Sequence, residues 1–167
     1  MDITQLILDD HHEQRRLFAI LEQIDPADTG ILGDLWMRLS AFLEVHAAAE
    51  EETLDAIHDH NDIRDAIAAV AGHEPGSNEW YEAVAAVNLA NGDHMAEEER
   101  EGLTDFRREA SLQLRHDLAV AFTAFEARHF AGIQPVDKDP AAYVRQAERS
   151  GRPPSGSLGI GSLKGRS

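Results

Sequence analysis

The chain of 167 residues contains no cysteine. Disulfides, thiolate metal sites and cysteine nucleophiles are therefore excluded, and any bound metal must sit on nitrogen and oxygen ligands. Aromatic and β-branched residues are few, and no segment alternates convincingly as a strand. No apolar run approaches the roughly 20 residues that span a bilayer. The amino terminus, Met1 to Asp10, is acidic where a signal peptide would be basic, so a cytoplasmic address is expected. Basic residues are scarce: 15 Lys and Arg stand against 31 Asp and Glu, a formal charge of -16. Such a surface repels phosphate backbones and anionic lipid head groups, so neither nucleic acid nor membrane is expected as a partner of the main domain. Solvated helix faces rich in Asp and Glu produce the same acidity without any function. No glycine-rich phosphate loop follows a strand, and no Ser-His-Asp spacing stands out.

What is present is helical periodicity, in a length suited to one domain with a tail. A first helix is expected from about Ile3 to Ile24, with Leu6, Ile7, Leu17, Phe18, Leu21 and Ile24 on one stripe, ended by Asp25-Pro26. A second runs from about Ile31 to Ala56, a third from about Asp59 to Ala71, and a fourth from about Asn78 to Leu103 with Ser77 as its cap. A fifth, about Ser111 to Phe130, carries Leu114, Leu118, Phe122 and Phe125 and can cover the side or end of a bundle. The expected domain is residues 1–131. Residues 132–167 read as a flexible Pro/Gly/Ser-rich tail, and from 138 onward six Lys and Arg outnumber two Asp and Glu. This basic tail could lie on its own acidic domain or dock on a partner.

The informative pattern is one of misplacement. Ionisable residues occupy apolar stripes on four successive helices: His11, then His46 and Glu50, then His60, then His94 and Glu98. Residues four apart stack on one helix face, so His46 with Glu50 and His94 with Glu98 each present an imidazole beside a carboxylate. Two buried carboxylates converging on one core cost several kcal/mol each unless something positive compensates them. No lysine or arginine lies beside them on these stripes. A pair of divalent or trivalent cations, with bridging carboxylates and neutral imidazoles, would compensate both. A lone histidine on an apolar face is more often a hydrogen-bonded core residue than a ligand; two identical His-x-x-x-Glu modules with two further inward histidines reverse that balance. His12, His58, His73, His116 and His129 are expected to be solvent-facing or structural.

These residues resemble the hemerythrin-like, or HHE cation-binding, family of bacterial type, whose four-helix bundle carries ligands in the order H, H-x-x-x-E, H, H-x-x-x-E. The resemblance covers roughly residues 3 to 106, through Asp10-His11, His46 to Glu51, Asp59 to Asp65 and His94 to Glu99. It implies an all-α, up-down four-helix bundle with an additional C-terminal helix. It also implies two iron ions joined by an oxo or hydroxo group, with His11 and His46 on one iron, His60 and His94 on the other, and Glu50 and Glu98 bridging. On ligand type alone, manganese or zinc would also be accepted.

The chain departs from the family in two places. Oxygen-carrying hemerythrin has a fifth histidine, four away from the third-helix ligand, where this chain has Ala56 and Arg64. One iron is thus expected to keep an open or water-filled position. Only ten residues separate Glu50 from His60, and one continuous helix would put His60 about 15 Å beyond Glu50 at a rise of about 1.5 Å per residue. The chain must therefore reverse between about Leu54 and Asp59, with His58 as the substitute third-helix ligand. The function implied is a non-haem di-iron protein that binds O2, peroxide or nitric oxide, with catalase- or peroxidase-like redox activity toward peroxide or nitric oxide. The alternatives are an O2 carrier or sensor without turnover, and an iron store or donor. A ferritin-like site would want two Glu-x-x-His motifs, and only Glu126 to His129 provides one.

Overall fold

The structure is a computed structural model that describes residues 1–54 and 60–134, all helical with no strand among the described residues. His58 and the tail from residue 135 onward lie outside the described residues. Helix α1 spans Ile3–Leu21, α2 Thr29–Leu54, α3 His60–Val70 and α4 Asn78–Glu97; a π-helical turn, Glu98–Gly102, leads into α5, Leu103–Glu109; and α6 spans Leu112–His129. Among the described residues no helix is long and apolar enough to cross a membrane.

Local chemistry sets the helix ends. The Asp2 carboxylate accepts from Thr4 N at 3.1 Å, Ser77 Oγ from Trp80 N at 3.1 Å and Ser111 Oγ from Leu114 N at 3.1 Å, so three helices start on side-chain caps. Helix α1 stops at Leu21, three residues before the expected end, because Gln23 and Ile24 bond three residues back to Ile20 and Leu21 and tighten the last turn. The chain then turns at Asp25, whose carboxylate accepts from Ala27 N at 2.9 Å. Gly76, at φ 85°, packs so closely against the Pro26 carbonyl that a Cβ there would collide with it, which ties the α3–α4 loop to the α1–α2 loop.

Two apolar clusters form. The first joins Leu17, Phe18 and Leu21 of α1, Leu32, Leu39 and Leu43 of α2, Ile63, Ile67 and Val70 of α3, and Trp80, Val84 and Val87 of α4. The second joins Ile3 and Ile7 of α1, Ala49 of α2, Leu103 and Phe106 of α5, and Ala119 and Phe122 of α6. Fully burying a side chain such as Leu39 or Ile7 stabilises the fold by roughly 1.5–3 kcal/mol. The expected fifth helix is α6, and it lies along α1 and α2, while α3 lies along α4.

The stretch expected to be one helix from Asn78 to Leu103 instead widens at Glu98, where Leu103 N bonds back five residues to the Glu98 carbonyl. An uninterrupted α-helix would carry the inward face from Glu98 to Gly102 and Asp105. With one residue absorbed, Leu103 and Phe106 reach the second cluster instead. Between the two clusters every helix of the first four contributes a polar side chain, and there the candidate site lies.

Candidate metal centre

The structure brings His11, His46, Glu50, His60, His94 and Glu98 together. His11 is 0 % exposed, His46 3 %, Glu50 0 % and His60 1 %, while the His94 and Glu98 side chains are 11 % and 13 % exposed. Glu50 is central. Its Oε1 lies 3.1 Å from His46 Nε2, and its Oε2 lies 3.1 Å from His60 Nε2 and 3.6 Å from His94 Nε2. Glu98 Oε2 lies 3.4 Å from His11 Nε2 and 3.8 Å from His94 Nε2. His60 and His94 approach at 3.3 Å between their Nε2 atoms. The nitrogens and oxygens that face one another fall into two groups within metal-chelating reach, His11 with His46 and Glu50, and His60 with His94 and Glu50. These buried groups can hold a metal ion.

The donor set passes a direct test of fit. Among the described residues, His11 Nε2, His46 Nε2, Glu50 Oε1 and Glu98 Oε2 are buried polar atoms without a hydrogen-bond partner. Each such atom left unsatisfied costs about 1–3 kcal/mol, and all four converge on one place.

The outer ring nitrogens are held by a layer of carboxylates. His11 Nδ1 lies 2.9 Å from Glu99 Oε1, His46 Nδ1 3.0 Å from Asp10 Oδ2, and His60 Nδ1 3.1 Å from Glu51 Oε1. An ionised carboxylate only accepts, so each of these bonds requires Nδ1–H and turns Nε2 toward the centre, as a lone pair where the ring is neutral. Two of these carboxylates are themselves paired with arginine. Arg64 Nη2 reaches Glu51 at 2.6 Å and Arg15 Nη2 reaches Glu99 at 2.8 Å. Arginines of α1 and α3 thus do stand beside the cluster, each paired with the glutamate that follows an inner carboxylate.

The protonation of the cluster follows from these contacts. Burial, then the charge of His46, lowers His11 to about 4 and leaves it neutral. Burial alone would lower His46 as well, but the charge of Glu50 and a hydrogen bond to Asp10 outweigh it and raise His46 well above its ordinary value. Glu50 is the reciprocal partner: burial would raise it, and the His46 charge with bonds from three histidines holds it well below the usual carboxylate range. Burial opposes protonation of His60, whose bonds to Glu50 and Glu51 prevail and raise it. Glu98 is pushed well up by burial and by the negative charge of Glu50. Without metal the cluster is therefore a proton-holding ion-pair network.

Other expectations are placed as follows. His12, His73 and His116 are exposed, and His129 Nδ1 bonds the Phe125 carbonyl at 2.8 Å. Arg64, four positions after His60, turns its guanidinium to Glu51 and Asn61. Glu126 of the unmatched Glu-x-x-His sequence approaches Asp10 and His46 from α6; burial and then the Asp10 charge raise it to about 7. Sequence reasoning missed Asp10, Glu51 and Glu99 as orienting groups. Their signal was the doubled glutamate that closes both modules, Glu50-Glu51 and Glu98-Glu99. Comparison with known proteins gives no match to a family model, a curated protein or a solved structure.

Proposed function

We propose that this protein is a non-haem di-iron protein of hemerythrin-like type that binds O2, peroxide or nitric oxide and turns over peroxide or nitric oxide. One observation carries the reading: six side chains converge on one buried centre, four of them with a buried polar atom there that no hydrogen bond satisfies, while an outer layer of carboxylates fixes three of the four imidazoles. His11 and His46 would hold one ion and His60 and His94 the other, with Glu50 and Glu98 between them. A bound pair of iron ions would supply one-electron steps between ferrous and ferric states and positions open to a small exogenous ligand.

The chain's own residues do the rest. Glu50, and Glu98 once its proton leaves, supply the negative charge that selects cations. His46 and Glu98 hold protons that become available when a cation arrives. The two apolar clusters exclude bulk water from above and below. His94 and Glu98, the only two of the six with more than a few per cent exposure, mark the side by which a small molecule reaches the centre.

The test is metal content per chain and the visible spectrum of protein from iron-supplemented cells, before and after peroxide. Two irons with near-ultraviolet bands of an oxo-bridged centre are expected, and loss of added peroxide would mark an enzyme rather than a carrier. Absence of bound metal would refute the reading.

A further inference from the structure

We propose that Arg15 and Arg64 are paired positioning residues, each setting one of two equivalent half-sites through the carboxylate that orients a histidine. The inference rests on the two-metal reading above and deepens it. On α1, Arg15 lies four residues after His11; on α3, Arg64 lies four residues after His60. Each arginine shares its partner oxygen with its own helix's histidine. Glu99 Oε1 receives His11 Nδ1 at 2.9 Å and Arg15 Nη2 at 2.8 Å. Glu51 Oε1 receives His60 Nδ1 at 3.1 Å and Arg64 Nη2 at 2.6 Å. The two arrangements are copies built from different helices: a His-x-x-x-Arg helix clamped by the second glutamate of a His-x-x-x-Glu-Glu helix.

The sequence repeats in the same sense. Asp10-His11-His12-Glu13-Gln14-Arg15 and Asp59-His60-Asn61-Asp62-Ile63-Arg64 share Asp-His, an acid two residues after the histidine, and the arginine. His46 to Glu51 and His94 to Glu99 share His-x-Ala-x-Glu-Glu, when His46-Ala47-Ala48-Ala49 is set against His94-Met95-Ala96-Glu97. The first half-site takes its clamp from the π-helical turn that follows α4 and the second from α2, so each repeat completes the other.

The arginines have a definite task. A bare glutamate at Glu51 or Glu99 would add a third and fourth negative charge to the centre and could swing in as a competing ligand. A charge-assisted bond to a guanidinium fixes the carboxylate outward and keeps its lone pair on Nδ1–H. The imidazole is thereby locked with Nε2 facing the ion, and outer partners of this kind are worth about 10–100-fold in metal affinity. The Arg64 pair is dry, its side chains 6 % and 0 % exposed, whereas the Arg15 pair is 40 % and 29 % exposed. Arg64 should therefore matter more, since solvent weakens the outer pair.

Titration of the metal-free full chain with Co2+, followed by its visible d–d bands, separates these roles. The unmodified protein is expected to take two ions. Arg64→Gln and Arg15→Gln are each expected to keep one ion at unchanged affinity and bind the other about 10–100-fold more weakly, with Arg64→Gln at the upper end. Arg64→Lys should recover part of the loss. Two ions bound at unaltered affinity by both glutamine variants, with only a lower Tm, would overturn the proposal, because a purely structural salt bridge predicts that result. Arg15→Gln, on the partly exposed pair, carries the test by itself should Arg64→Gln not fold. No Co2+ bound by the unmodified protein would refute the two-metal reading instead, so the two failures are distinguishable.

Discussion

His60 Nε2 lies 3.1 Å from Oε2 of Glu50, the residue ten positions before it. A straight helix would separate them by about 15 Å, so α2, ending at Leu54, and α3, starting at His60, are not one continuous helix. Two residues ten apart in sequence thus meet at one centre from different helices. His60 Nδ1 also reaches Glu51, so a single imidazole bonds both glutamates of the α2 module.

Truncating an inner histidine should cost both metal and fold. His46→Ala removes the positive partner of Glu50 and leaves a buried carboxylate uncompensated, a loss of roughly 3–5 kcal/mol in the metal-free protein. His94→Ala should likewise lose metal while its more exposed position softens the stability loss. Thermal unfolding and metal analysis of both variants check this; full metal retention in both would refute the ligand assignment.

Metal binding should release protons. Metal-free His46 and Glu98 both have raised pKa values, so each holds a proton near neutral pH that a cation must displace. Affinity therefore falls as pH is lowered. For the metal-free fold the sign is opposite. Stabilisation linked to a raised group is complete below its unfolded value, about 4.5 for Glu98 and 6.5 for His46, and is lost as pH rises through the folded value. As pH rises above about 6.5 the Tm should fall for metal-free protein and fall less, or rise, with excess metal ion. Parallel melting curves in the two states would contradict the coupling.

Chelation should destabilise the protein in proportion to the metal's affinity. An ion at 100 times its dissociation constant contributes about 2.7 kcal/mol. A Tm that drops on treatment with a chelator and returns on adding back ferrous iron is expected.

The second apolar cluster should matter to the site as well as to the fold. Phe122 of α6 is 0 % exposed and its ring centroid stands 5.7 Å from that of His46. Phe122→Ala should cost about 3–5 kcal/mol. It should also loosen His46 and weaken metal retention beyond what an equally destabilising change at Trp80, in the other cluster, produces. Equal effects on metal at equal loss of stability would count against the link.

Helix content was legible because stripes such as Leu17, Leu21 and Val84, Val87 recur at helical spacing, and the six inner residues were legible because they interrupt those stripes. The clamp residues were not. Glu51, Glu99 and Asp10 each sit one position from an inward residue, and periodicity alone assigns such neighbours to the flank of a helix. Only the crossing of a second helix gives them a partner, His46 for Asp10 and a histidine with an arginine for Glu51 and Glu99. The widened turn at Glu98 was hidden for a related reason: an absorbed residue leaves apolar residues recurring at plausible intervals, so the stretch to Leu103 reads as one helix.

That turn has a hereditary side. From Glu98 to Gly102 the chain tolerates exchange of side chains such as Arg100 or Glu101, which point to solvent, but not a change in their number. Deleting one residue there would swing everything from Leu103 to Glu109 by about 100° and carry Phe106 away from Ile3 and Ile7. In descendants of this chain, spelling can drift at positions such as 100 and 101 while the count between Glu98 and Leu103 stays the same.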